Sequence, residues 1–126
     1  MATAPAFAST PKVGMAQITT AETSRTAPTQ VGTVFTAGSS GSRIDSVTIT
    51  AAGTTTAGVV RLFIYDGTNY RLLSETLVTA ITPSTTVAVF TASITFNPLV
   101  LQSGYSLRAT TNNSETFNVI AVGGDF

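Results

Sequence analysis

Carboxylates are where any chemistry in this sequence would have to start. Its 126 residues include six acids and a single lysine, Lys12, but neither histidine nor cysteine. Lack of histidine removes the commonest general base, nucleophile activator and metal ligand. Lack of cysteine removes disulfides, thiol catalysis and thiolate metal sites. Two carboxylate chemistries remain. A glycosidase would need two acids facing each other across a cleft, and Glu75 in a predicted strand and Glu115 in a predicted loop are candidates that no spacing brings together. A calcium loop would need oxygen ligands at alternating positions, and after Asp66 the chain offers only Thr68 and Asn69. "GSSGSR" has the glycines of a phosphate loop without its Lys-Ser/Thr, and Asn112-Asn113-Ser114, formally a glycosylation sequon, reads as a polar hairpin loop. Tyr65, Tyr70 and Tyr105 could stack on a sugar, but aromatic residues beside strand ends also serve cores and interfaces. No catalytic, metal or cofactor site is expected, and the protein is not expected to be an enzyme.

Asp66 has a simpler use. It lies in "LFIYDGTNYRLL", where Asp-Gly separates two apolar, aromatic runs. Hairpins favour this pair because glycine takes positive φ without Cβ strain and aspartate accepts a hydrogen bond from a backbone N–H two residues on. Asp66 and Gly67 are therefore read as a structural turn, with Phe63 expected opposite Leu72 and Leu62 opposite Leu73.

Stepping outward from the turn, the dominant period is two, the mark of strands with one buried face. In "YSLRAT", Tyr105, Leu107 and Ala109 alternate with Ser106, Arg108 and Thr110; in "AVFTASITF", Ala88, Phe90, Ala92, Ile94 and Phe96 share a side. "RIDSVTIT", "VVRLFIY", "YRLLSETLV" and "FNVIAVG" are rich in β-branched and aromatic residues, and "VGTVFTA" and "MAQITT" are weaker strand candidates. The segments "GSSGS", "AAGTTTAG", "TPSTT", "NPLVLQSG" and "TNNSE" read as breaks. Seven or eight short strands so spaced predict an all-β fold, a jelly-roll-like β-sandwich over residues 31–126. Residues 1–30 hold three of the five prolines and much alanine and threonine. They are expected to form an extended N-terminal arm, either a disordered tail or an arm that orders against a neighbouring subunit. Phe7, Lys12, Val13, Met15, Ile18 and Arg25 are its candidate contact residues, and deleting it is expected to leave the strand body folded.

Charge points towards assembly. Only 10% of the residues are charged and the net charge is zero, against about 25% charged in ordinary soluble domains. Threonine makes up roughly a fifth of the chain. So little charge is a liability for a free monomer and an asset in an interface core. No continuous apolar run is long enough to span a bilayer, "MATAPAFASTPKVG" has neither the basic nor the apolar region of a secretory signal, and no basic cluster suggests nucleic acid. Neither membrane nor nucleic acid is expected as a partner.

"AGVVRLFIYDGTNYRLLSE" and "PLVLQSGYSLRATTNNSETFNVIAVGGDF", within residues 58–126, resemble small all-β virion proteins of tailed bacteriophages, the capsid decoration or cement proteins. The resemblance rests on fold-supporting patterns: strand, Asp-Gly hairpin and "SGYSL" turn. It implies a protein of the capsid surface, present in the host cytoplasm during assembly, that binds and bridges major capsid protein subunits and stabilises the head. It also implies a homo-oligomer, a trimer before other states, often engaged through a terminal arm. It brings no catalytic residues. The alternatives are a phage tail, baseplate or fibre component, with carbohydrate binding as one role open to it, and a bacterial surface or pilus-like module.

Overall fold

The computed structural model describes residues 10–126. Eight strands and no helix make up the regular structure of those residues: β1 Thr10–Ile18, β2 Gly32–Thr36, β3 Ser42–Ala51, β4 Gly58–Tyr65, β5 Tyr70–Val78, β6 Thr91–Leu101, β7 Ser106–Thr111 and β8 Phe117–Asp125. They form two four-stranded antiparallel sheets, ordered β1-β8-β3-β6 and β2-β7-β4-β5. Of the connections, only β4 to β5 stays within one sheet as a hairpin; the others cross between sheets, giving a jelly-roll-like β-sandwich.

Alternation along the strands builds the core. Ile44, Val47 and Ile49 of β3, and Phe117, Val119 and Ala121 of β8, meet Val60 and Leu62 of β4 and Leu107 and Ala109 of β7, all fully buried. The intervening residues point to the two outer faces, as the pleat requires.

Three expectations need correction. The sheet begins at Thr10, not after residue 30: β1 pairs with β8 from Thr10↔Asp125 to Ile18↔Phe117. Extended backbone was expected for this segment, but from Thr10 it belongs to the body. Ile18 is a core residue, and Gly14 approaches β2 so closely that a Cβ would lie 2.1 Å from the Val34 carbonyl oxygen. Residues 1–9, including Phe7, lie outside the described residues. Second, "NPLVLQSG" does not end β6, which continues through Pro98 to Leu101. β6 is an edge strand, where the N–H that proline lacks is not required. Its register also shifts between Ile44 and Ser46, leaving Asp45 out of the pairing. Third, Phe63 does pair with Leu72, but Leu62 pairs with Ser74, because a bulge shifts the register between Leu62 and Phe63.

The β4–β5 hairpin itself forms as its residues dictate. Asp66 Oδ1 accepts the N–H groups of Thr68 at 2.8 Å and Asn69 at 2.7 Å, and these bonds hold its carboxyl below the usual range. Gly67 has φ +99° with open space around its missing Cβ, so only backbone conformation excludes a side chain there. Gly67→Val should therefore lower stability by about 1–3 kcal/mol. Asp66→Asn, which keeps an acceptor oxygen, should unfold at nearly the wild-type urea midpoint. Equal midpoints for both variants would contradict this account.

Candidate interaction faces

The outward side chains of the β1-β8-β3-β6 sheet fall into cross-strand rows set by the pairing. One row runs Val13–Val122–Ser46–Thr95, the next Met15–Ile120–Thr48–Ser93, and the third Gln17–Asn118–Thr50–Thr91. None of these side chains is charged. On the β1/β8 half, Val13, Met15, Ile120 and Val122 form one apolar patch, with Met15 73% exposed. The β3/β6 half is hydroxyl-bearing and bonded within itself, Thr48 to Ser93 at 3.4 Å and Thr50 to Thr91 at 3.2 Å. Gln17 donates to Asn118 at 3.0 Å in the third row. Charge appears only at the rim, where Arg43 pairs with Asp45 at 2.7 Å.

The opposite outer face, on β2-β7-β4-β5, is built differently. Arg61 alternates with the core residues Val60 and Leu62, so it points outward, yet it is only 2% exposed. The connection 19–31 passes over it, bridged to β7 by Ala21↔Thr111. Arg61 donates from Nε to Glu75 at 2.7 Å, and from its terminal nitrogens to the Glu22 carbonyl at 2.9 Å and Asn112 Oδ1 at 3.2 Å. Arg25, in the same connection, reaches the same Glu75 oxygen at 2.8 Å. The two guanidinium groups hold the Glu75 carboxyl below its ordinary range, with the Arg25 hydrogen bond the larger cause. Further along the face, Tyr65 and Tyr70 stack at 4.3 Å and Arg108 lies 4.5 Å from the Tyr65 ring centre.

Glu22 organises the connection from within. Its carboxylate accepts the backbone N–H groups of Gln30 at 2.8 Å, Thr29 at 2.6 Å and Ser24 at 3.2 Å. These bonds, Gln30's first, lower its pKa from 4.5 to about 2. Because the folded-state value lies below the unfolded one, the stability Glu22 contributes is whole above about pH 4.5 and is lost as pH falls towards about 2. Glu22→Gln should thus be less stable than wild type at pH 6, and the gap should close on acidification through that window. A gap independent of pH in urea titrations would rule this linkage out.

The sequence candidates are dispersed by the fold. Val13 and Met15 stand outward on the neutral face. Lys12 turns towards the molecule, bonded to the Thr36 carbonyl and Asp125 and lying 4.8 Å from the Phe35 ring centre. Ile18 is in the core and Arg25 is paired with Glu75. Glu115 accepts from the backbone N–H and hydroxyl of Thr56, whereas Glu75 is tied to the arginines, so the two acids serve separate structural bonds. Among the described residues, no group of three or more acids could hold a metal ion, and no helix is long and apolar enough to cross a membrane. Ile120, Val122 and Arg61 are the residues that sequence reasoning passed over. An arginine inside a strand with large apolar residues on both faces, Val60 and Leu62 on one and Phe63 and Tyr65 on the other, was the available signal for Arg61.

No protein-family profile matches the chain, and no curated protein matches it. Among solved structures it is similar to a pentameric capsid protein isolated from metagenomic phage sequences, at 15% identity and a TM-score of 0.40. The alignment covers 86% of this chain and 61% of that one, so the chain spans about three fifths of that protein's length.

Proposed function

We propose that this protein is a non-enzymatic structural component of a bacteriophage virion, a capsid decoration protein that self-associates and bridges major capsid protein subunits on the head surface. The observation that carries the self-association in this reading is the uncharged outer face of the β1-β8-β3-β6 sheet, where four apolar side chains stand together in water. In an assembly such a face is buried and contributes roughly 25 cal/mol per Å² of apolar surface, and repetition over a shell adds avidity. The sequence resemblance over residues 58–126 supplies the capsid as the place of assembly. It also implies a trimer, for which the geometry of the single chain offers no three-fold feature.

The reading predicts that the purified protein co-sediments with undecorated heads of its phage at a fixed ratio to the coat protein, and that decorated heads withstand heating better. Recovery of the protein on separated tails and not on heads, by mass spectrometry, would refute the capsid assignment and favour a tail or fibre role. There the half-buried Tyr65–Tyr70 pair would be the place to test against sugars.

A further inference from the structure

We infer that the outer face of the β1-β8-β3-β6 sheet is a homodimer interface, covered by the same face of a second copy of this chain. The structural role proposed above motivates the search for a partner, but the dimer is a property of the protein in solution and does not require the capsid.

Chemistry narrows the occupant first. The three rows carry no charge, so nothing on them attracts a charged partner, and any charged group brought against Met15 or Ile120 would be desolvated without compensation. A neutral apolar face fits another neutral apolar face. Two of the three hydroxyl pairs are prepared for burial as well, because Thr48 bonds to Ser93 and Thr50 to Thr91. Covering them therefore leaves few polar groups without partners.

Shape narrows it further. An open sheet presents a broad, gently twisted surface that packs well against another sheet at about 10 Å. The chain has two such outer faces. The second is crossed by residues 19–31 and carries Glu75 and Arg108 beside the exposed Leu72 and Leu77, so it lacks the open, neutral surface that the first presents. A head-to-tail stack of copies is thereby disfavoured, and the neutral face is matched best by itself in a closed two-fold arrangement.

The pattern on the face is compatible with that symmetry. A two-fold axis running across the strands through the Met15–Ile120–Thr48–Ser93 row lays the β1/β8 half on its copy and the hydroxyl half on its copy. Met15 and Ile120 then form the apolar centre against the partner copy's Met15 and Ile120, while Val13 and Val122 face Gln17 and Asn118. A shallow hollow beside Met15, lined by Ala16, Gln17, Asn118 and Ile120, gives the flexible thioether side chain a place to settle. Four strands by three rows span about 19 by 20 Å at ordinary sheet spacings. Side-chain relief raises the accessible area above that plane, so two copies together bury on the order of 1,000 Å², the size of a weak, reversible interface.

Sedimentation equilibrium of the full chain, from about 1 to about 500 µM, covers the dissociation constants of a weak, reversible dimer. The expected result is a monomer–dimer equilibrium. Met15→Lys should hold the protein at monomer mass across the range, about a twofold fall in mass at the top, with its melting temperature unchanged. Leu77→Lys, at a position equally exposed on the other sheet, should leave the dimer intact. The chain has no cysteine, so Met15→Cys introduces a single thiol, and a short bis-maleimide should link it to its copy while Leu77→Cys remains uncoupled. A wild-type protein monomeric throughout, or a dimer insensitive to Met15→Lys, overturns the inference. A monomer that still decorates heads would overturn the dimer alone, whereas a dimer that fails to bind heads would overturn only the capsid reading.

Discussion

Deletion of residues 1–30 should abolish the cooperative unfolding transition. The truncated chain loses β1 and with it every backbone pair from Thr10↔Asp125 to Ile18↔Phe117, leaving β8 as a bare edge. It loses Ile18, 5% exposed in the core, whose burial contributes roughly 1.5–3 kcal/mol. Gly14 no longer backs Phe35, and Lys12 no longer joins the Thr36 carbonyl to Asp125 across the two sheets. The buried guanidinium of Arg61 loses the Glu22 carbonyl and the cover of the connection above it. Against a total stability of about 5–15 kcal/mol for an ordinary domain, these losses together exceed what the remaining strands can sustain. Circular dichroism melting of residues 31–126 should show a broad drift in place of a transition. A melting temperature within a few degrees of the full chain would instead restore the picture of a detachable arm.

That outcome runs against the composition of the segment, and the reason is physical. "VGMA" in β1 alternates as a strand should, but with the contrast inverted: small Gly14 and Ala16 face in, while Val13 and Met15 face out. The two sheets come together closely at β1 and β2, so small residues are needed inside, and large apolar ones are left on the surface for another molecule. Hydropathy alternation therefore identified the strands with spacious interiors, such as β3 and β7, and underrated the one at the closed edge. The same logic explains Pro98. Proline signals a break, but an edge strand tolerates it, and edge position is a property of topology that local sequence does not carry. The Asp66–Gly67 turn was legible because its requirements are local. Only the bulge between Leu62 and Phe63, where the unpaired Leu73 packs against the core, escaped. Of the neutral face, half was visible in Val13 and Met15. Its other half, Ile120 and Val122, lies more than a hundred residues away in sequence and joins them only through the β1–β8 pairing.

Replacing Arg61 should produce a large loss of stability for a polar side chain outside the apolar core. Its side chain lies under residues 19–31 and reaches three acceptors that diverge in direction: Glu75, the Glu22 carbonyl and Asn112 Oδ1. Arg61→Met keeps much of the volume but leaves the Glu22 carbonyl and the Asn112 amide without this donor in a site with little water. Stranding buried acceptors, with loss of the ion pair, costs on the order of 3 kcal/mol. Glu75 suffers least, since it is partly exposed and retains Arg25. Arg61→Lys should recover only part of the loss, because one ammonium on a flexible stem cannot span the fork that a planar guanidinium fills. Both variants should loosen the connection 19–31, and trypsin should cut after Arg25 faster than in wild type under native conditions. Urea unfolding gives the energy and limited proteolysis gives the place. An Arg61→Met protein as stable and as resistant at Arg25 as wild type would show that the connection is held by Glu22 and its backbone partners alone.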